Sequence, residues 1–145
     1  MTHLLKSLMN RNLLALVAFT AAVTPQALRA DNALGCAGNS VMNGTYVMSA
    51  TGTIVGVGPV AVVGMVTYDG LGNGSATSTQ SVNGTIYKGV IATATFTVNR
   101  DCTGSKTFSD GSHYDFAITL DGSTITWIET DPGVVISGTA VRIKR

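Results

Sequence analysis

The chain has 145 residues, of which 45% are apolar and only 12% charged, and its formal net charge is +1. This length suits one domain with a core of its own. Three of the nine basic residues precede residue 31, and the rest of the chain carries a net charge of −2. No basic stripe is left to neutralise phosphates, so we expect no nucleic-acid partner.

Residues 1–30 have the three parts of a secretory signal peptide: basic Lys6 and Arg11, an apolar run over residues 13–23, and a small exit residue, Ala30. The run has about eleven residues, fewer than the roughly twenty that span a bilayer as a helix. We therefore expect cleavage after Ala30, with Ala27 as an alternative exit, a secreted or periplasmic product, and no membrane insertion.

The two cysteines, Cys36 and Cys102, both follow the signal peptide. Because exported proteins meet an oxidising compartment, we predict a disulfide that ties the segment 31–42 to the domain behind it. The alternative is a lipoprotein, since Ala33-Leu34-Gly35-Cys36 loosely resembles a lipid-attachment motif. Ala33 stands where leucine is usual, however, and acylation would leave Cys102 without a partner, so the disulfide is favoured.

After Cys36 the sequence is rich in Gly, Thr, Ser and Val, and Asn-Gly and Asp-Gly pairs typical of tight hairpin turns divide it at short intervals. Short connections predict antiparallel neighbours in chain order, and closing the sheet would remove two long edges. The fold class is therefore all-β, a small antiparallel eight-stranded meander barrel over residues 43–145. The predicted strands are 45–52, 60–68, 74–82, 85–88 running on to 89–99, 105–108, 114–120, 124–130 and 134–143.

Alternation along the strands separates an inner from an outer face. Tyr114, Phe116, Ile118 and Leu120 share one apolar face, and Trp127 stands on the same face as Glu129. If Trp127 and Glu129 faced outward, both would be ordinary surface residues. The residues predicted to bind a ligand inside the barrel are Tyr46, Met48, Tyr114, Phe116, Trp127 and Glu129.

Four elements occur in a familiar order: Asn43-Gly44-Thr45-Tyr46, residues 66–73, Asn99-Arg100-Asp101-Cys102-Thr103-Gly104, and Ser137-Gly138-Thr139-Ala140. In this order the chain resembles small secreted bacterial proteins of the allene oxide cyclase barrel-like (calycin-type) family. The resemblance spans most of residues 43–143 and is most specific at Asp101-Cys102-Thr103-Gly104. It implies an eight-stranded barrel with a small interior, and it transfers no catalytic residue, because the cyclase motif has no matching positions here.

Other candidate sites have simpler explanations. His113 follows Ser112 in an Asp-Gly-Ser-His turn that lacks a nucleophile elbow, and one histidine makes no metal cluster. The segment 69–74 faintly resembles a calcium loop, but a hairpin turn needs the same residues. We therefore predict no metal and no cofactor.

Three functions stay open. An eight-stranded barrel can hold one small ligand, so the favoured function is binding of a small hydrophobic molecule. A second is a cyclase or isomerase in which Glu129, a weak catalytic candidate, acts in the cavity. A third is a structural or surface interaction protein with a packed barrel. Whether the protein is an enzyme, and its oligomeric state, are left open by the sequence.

Overall fold

A computed structural model describes residues 35–144. The predicted signal peptide, residues 1–30, lies outside them. A short 3-10 helix, Gly38–Val41, precedes eight strands. The strands are β1 Asn43–Ile54, β2 Gly58–Asp69, β3 Asn73–Val82, β4 Thr85–Val98, β5 Thr103–Phe108, β6 His113–Ile118, β7 Thr124–Glu129 and β8 Val134–Lys144.

The strands form a closed barrel in chain order, and each pairs antiparallel with the next. Closure occurs between the first and last strands, where Ser49 pairs with Thr139 and Thr53 with Val135. No strand is left at an edge over the paired length, so the chain needs no other device to protect one. The predicted eight-stranded meander barrel is confirmed.

The barrel has two different ends. At the end that we call the closed end lie the 3-10 helix, the β2–β3, β4–β5 and β6–β7 turns, and a packed core that includes Met42, Tyr68 and Phe96. The rings of Tyr46, Tyr68 and Phe96 meet edge to face with centroids 5.6 and 5.2 Å apart. The other four hairpin turns surround the opposite end, which we call the open end.

The predicted disulfide between Cys36 and Cys102 is present and anchors the segment before the barrel to the closed end. The backbone N–H of Cys36 also donates to the Arg100 carbonyl at 3.0 Å. Cys102 has a positive φ of 66°, an unusual backbone conformation for a residue with a side chain. The bridge and the hydrogen bond hold the segment beside the β4–β5 turn.

The carboxylate of Asp69 organises the β2–β3 turn, the segment compared above with a calcium loop. Its Oδ1 accepts hydrogen bonds from the backbone N–H groups of Leu71, Gly72 and Asn73 at 2.7 to 3.0 Å. Its Oδ2 accepts another from the Asn73 side chain. Both carboxylate oxygens therefore serve the turn, which is the simpler of the two interpretations.

One inward-facing residue was predicted wrongly. Leu120 is 51% exposed, because β6 ends at Ile118 and the chain turns immediately afterwards. The hydroxyl of Thr119 donates to Asp121 and accepts from the backbone N–H of Thr124, which closes the turn two residues earlier than alternation suggested. No helix within residues 35–144 is long and apolar enough to cross a membrane.

Candidate functional site

A cavity of about 270 Å³ occupies the open end of the barrel. Its walls come from strand ends all round the barrel and are largely apolar. Asp110, Tyr114 and Glu129 are the acidic or phenolic groups in the lining, and Lys106 is its one basic group. The apolar residues of the wall include Met48, Val60, Ala76, Phe108, Trp127 and Ile136.

Three polar side chains of this cavity form a row across neighbouring strands. Lys106 of β5 pairs directly with Tyr114 of β6, and Tyr114 pairs with Glu129 of β7. Residues paired across antiparallel strands project from the same face of the sheet, so all three side chains point inward. The strand register thus brings an amine, a phenol and a carboxyl to one wall of the cavity.

Lys106 is buried to an unusual degree, with only 4% of its surface exposed. Buried lysines normally have an anionic partner, because an isolated ammonium is costly to remove from water. Within residues 35–144 the only ion pair within 4.0 Å joins His113 and Asp131, so no described carboxylate lies at that distance from Lys106 Nζ. The amine therefore sits in the barrel without a described counter-ion.

Aromatic rings lie around the Lys106 amine where a carboxylate would be expected. Lys106 Nζ lies 4.6 Å from the ring centre of Trp127, 5.2 Å from that of Tyr114 and 5.5 Å from that of Phe108. Such distances allow cation–π attraction, which strengthens where water is excluded. The Tyr114 ring also contacts the other two edge to face, with centroids 5.1 Å from Trp127 and 5.4 Å from Phe108. The three rings form a cage around the amine, which we call the aromatic cage.

Burial changes the acid–base properties of this wall. Removal of Lys106 from water lowers its pKa to about 7, so the neutral amine becomes well populated near neutral pH. Burial also raises the pKa of the Tyr114 phenol, with smaller contributions from the charges of Glu129 and Asp110. Partial burial raises the pKa of the Glu129 carboxyl. All three groups are displaced toward their neutral forms, as an apolar cavity requires.

Four of the six residues predicted to bind a ligand line this cavity: Met48, Tyr114, Trp127 and Glu129. Tyr46 and Phe116 are buried but do not line it. Tyr46 lies at the closed end, where its hydroxyl donates to the Gly122 carbonyl at 2.8 Å and accepts from Arg142 Nε and Nη2. The predicted set is thus divided between the two ends of the barrel.

The sequence prediction omitted Lys106, the most unusual residue of the site. The sequence does indicate an inward Lys106, because alternation along β5 places it on the same face as Phe108 and opposite Ser105 and Thr107. The charge of Lys106 argued for an outward position against this alternation, since lysine is almost never fully buried without a partner. A face that pairs a lone lysine with a large aromatic residue, opposite Ser and Thr, indicates an inward lysine.

Trp127 is 9% exposed, and among the side-chain nitrogens and oxygens of residues 35–144 that are fully shielded from solvent, its Nε1 alone has no hydrogen-bond partner. Its ring lies against Gly138 of β8, where a Cβ would come 2.5 Å from Trp127 Cζ2. The glycine thus makes space for the indole at the β7–β8 pairing, where Trp127 is directly opposite Gly138. This packing fixes one side of the aromatic cage.

His113 lies on the rim and not in the cavity. Its Nδ1 contacts Asp131 Oδ1 at 2.8 Å, and its backbone N–H donates to Asp131 Oδ2 at the same distance. These hydrogen bonds lower the pKa of Asp131 and join the start of β6 to the β7–β8 turn. Among the residues that the structure describes, no group of three or more His, Cys, Asp or Glu side chains could hold a metal ion.

Comparison with known proteins adds little beyond the architecture. No protein-family model and no curated protein matches the chain. Among solved structures it is similar to a redesigned β-barrel, mFAP1, bound to DFHBI, with 18% identity over 72% of this chain and 97% of that one and a TM-score of 0.45. A de novo designed fluorescence-activating β-barrel is 12% identical over 69% of this chain and 92% of that one, with a TM-score of 0.43. The barrel assignment therefore rests on this chain's own strand pairing.

Proposed function

We propose that this protein binds one small, mainly apolar molecule inside the open end of its barrel. The observation that carries the proposal is the cavity of about 270 Å³ whose apolar wall contains a caged lysine without a described counter-ion. Ligand pockets are typically apolar with a few polar groups that orient the guest. The volume lies just below the range of about 300–1,000 Å³ for drug-sized ligands, so the guest is small.

The packing of the barrel interior distinguishes a binding protein from the alternative, a structural protein with a solidly packed barrel. The closed end is filled by residues such as Met42, Tyr46 and Tyr68, each at most 2% exposed. The open end contains an unfilled cavity, although well-packed interiors have few voids larger than a water molecule. A cavity confined to one end, with its titratable groups, supports binding over a solid barrel.

Fluorescence of Trp127 tests the proposal directly, because it is the only tryptophan of the chain and lines the cavity. Titration of the purified protein with small aromatic and aliphatic alcohols, including cinnamyl alcohol, is expected to give saturable quenching or a shift in emission. If none of these molecules changes the emission at millimolar concentration, the proposed function is wrong.

A pair of variants links the binding to the cavity. Ala92 lines the cavity on β4, and its neighbour Thr93 is exposed on the outer face. We expect Ala92→Phe to fill the mouth and weaken binding at least ~10-fold, about 1.4 kcal/mol. Thr93→Phe adds the same ring outside and is expected to leave affinity unchanged. Equal effects of the two variants would contradict a site inside the barrel.

We also propose that the protein is exported and related to the allene oxide cyclase barrel-like proteins. Export is supported by the signal-peptide pattern of residues 1–30 and by the Cys36–Cys102 disulfide, which suits an oxidising compartment. The relationship is supported by the sequence resemblance around Asp101-Cys102-Thr103-Gly104. Cell fractionation with an antibody to the barrel tests the first proposal, and a sequence alignment of homologues tests the second.

A further inference from the structure

We propose that Lys106 is a reactive amine that captures a small apolar aldehyde in this cavity as an imine. This inference rests on the proposed function and names the chemical class of its ligand. The Lys106 amine has no evident structural role, because within residues 35–144 its Nζ makes no hydrogen bond and no ion pair. The rings of Trp127, Tyr114 and Phe108 lie within 4.6 to 5.5 Å of it.

The surroundings of Lys106 are those that make an amine nucleophilic. A lysine desolvated in an apolar pocket loses its proton more easily, and the neutral amine is the form that attacks carbonyl groups. Burial lowers the pKa of Lys106 to about 7. Every other titratable group that lines the cavity, namely Asp110, Tyr114 and Glu129, lies on the β5–β6 turn, β6 or β7.

The cavity selects an aldehyde over a charged guest. The walls contributed by β1 to β4 and β8 carry no charged residue, so the guest's body meets apolar side chains and a few uncharged polar groups such as Ser78 and Gln80. A neutral carbonyl enters such a space without the large cost of stripping water from an ion. Its oxygen would reach the wall where Tyr114 lies next to Lys106 and Glu129 follows one strand further on.

The reaction balances without an oxidant or reductant. The Lys106 nitrogen lone pair forms a bond to the carbonyl carbon while the carbon–oxygen π bond breaks, and a proton passes from nitrogen to oxygen to give a carbinolamine. The hydroxyl then leaves as water after taking a second proton, and the nitrogen loses its remaining hydrogen as the carbon–nitrogen double bond forms. Glu129, whose pKa is raised by partial burial, is the carboxyl in the row with Lys106 and Tyr114, and it can exchange these protons.

Reductive trapping tests the inference on the protein as it exists. Cinnamaldehyde is incubated with the purified protein at neutral pH in the presence of cyanoborohydride, which converts an imine to a stable secondary amine, and modified peptides are identified by mass spectrometry. Lys88 and Lys144, both exposed on the outer surface, serve as internal controls. We expect Lys106 to be modified at least ~10-fold faster than either, because each unit by which an amine's pKa falls raises its neutral fraction about tenfold.

Two further measurements separate this inference from the proposed function. Cinnamyl alcohol has the same body and no carbonyl, so it reports binding alone. Lys106→Arg has no amine that forms a stable imine and is expected to lose the trapped adduct, whereas Lys88→Arg, at an exposed position, is expected to keep both alcohol binding and the adduct on Lys106.

Each outcome is decisive. Preferential modification of Lys106 supports the inference. Binding of both cinnamyl compounds without modification of Lys106, or equal modification of Lys106, Lys88 and Lys144, overturns the imine and leaves the binding function standing. If neither compound changes Trp127 emission and Lys106 is unmodified, both the inference and the proposed function are wrong.

Discussion

The amine of Lys106 lies 4.6 Å from the centre of the Trp127 ring, which joins the one buried cation of the described residues to the only tryptophan of the chain. They belong to different strands, β5 and β7, and β6 separates them. Because an indole's fluorescence responds to a nearby charge, Trp127 reports both on the protonation of Lys106 and on whatever enters the cavity.

Stability should depend on the charge of Lys106. Its folded pKa of about 7 lies below the value of 10.5 for a free lysine, so between these values the unfolded chain binds more protons. Stability therefore rises with pH through this window, by about 2 kcal/mol between roughly pH 7 and pH 9 at 1.36 kcal/mol per unit. Urea unfolding at a series of pH values measures the rise.

Lys106→Met is the matched control for this rise, since it keeps the volume and removes the titration. We expect the variant to be more stable than the wild type at pH 7 and to lack the wild-type increase. The tyrosines with raised pKa act in the opposite sense and only above about pH 10, and they are common to both proteins. Parallel stability curves for the two proteins would show that Lys106 is not the cause.

The hydroxyl of Tyr46 at the closed end should contribute to the stability of the protein. Tyr46→Phe removes the buried donor to the Gly122 carbonyl and a partly buried acceptor for Arg142. Loss of buried hydrogen-bond partners costs about 1–3 kcal/mol of unfolding free energy. The exposed Tyr87 of β4 gives the control, since Tyr87→Phe should change stability by less than about 0.5 kcal/mol. Equal stabilities of the two variants would refute this role.

The disulfide should make a large contribution to stability. Cys36 and Cys102 are 66 residues apart, and the chain-entropy model gives about 4 kcal/mol for a loop of that length. Chemical denaturation with and without a reductant measures the difference. A variant carrying both Cys36→Ser and Cys102→Ser should match the reduced wild type and be insensitive to the reductant; a wild type indifferent to reduction would contradict the prediction.

The contact between Gly138 and Trp127 predicts an effect on the cavity from outside it. Gly138→Ala would place a methyl group 2.5 Å from both Trp127 Cζ2 and the Ser49 carbonyl oxygen, so that the indole and the β1–β8 pairing must both adjust. Overpacking of this kind costs about 1–3 kcal/mol and should also shift Trp127 emission. Ser137→Ala, at the exposed neighbouring position, should alter neither quantity. An unchanged emission spectrum in Gly138→Ala would mean that the wall yields elsewhere.

Much of the barrel follows from local chemistry. The Asn83-Gly84 pair has positive φ at both residues, 47° and 85°, as a tight hairpin turn requires, and this dictated where β3 and β4 separate. Leu120 shows the limit, because alternation continues past the point where Thr119 and Asp121 close a turn through side-chain hydrogen bonds. Alternation of apolar residues therefore does not show where a strand ends, whereas residues that form side-chain hydrogen bonds within a turn do.

The site was harder to predict than the fold. Alternation identified the inward faces that carry Met48, Tyr114, Trp127 and Glu129, but it gave no depth along the barrel axis. Depth depends on register between strands, which places Tyr46 at the closed end and Glu129 at the open end. The row of Lys106, Tyr114 and Glu129 is likewise a property of the register between the consecutive strands β5, β6 and β7, and alternation within each strand does not contain it.

The barrel's two unlike ends have a practical consequence. Cys36 is bridged to the turn after β4, and the last strand runs to Lys144, which pairs with Thr45 near the start of β1. Both ends of the described chain thus leave from the side opposite the cavity mouth. A carrier protein or a surface linker joined at either end would leave the mouth unobstructed, so the barrel can be immobilised as a sensor whose built-in Trp127 signal still responds to the solution.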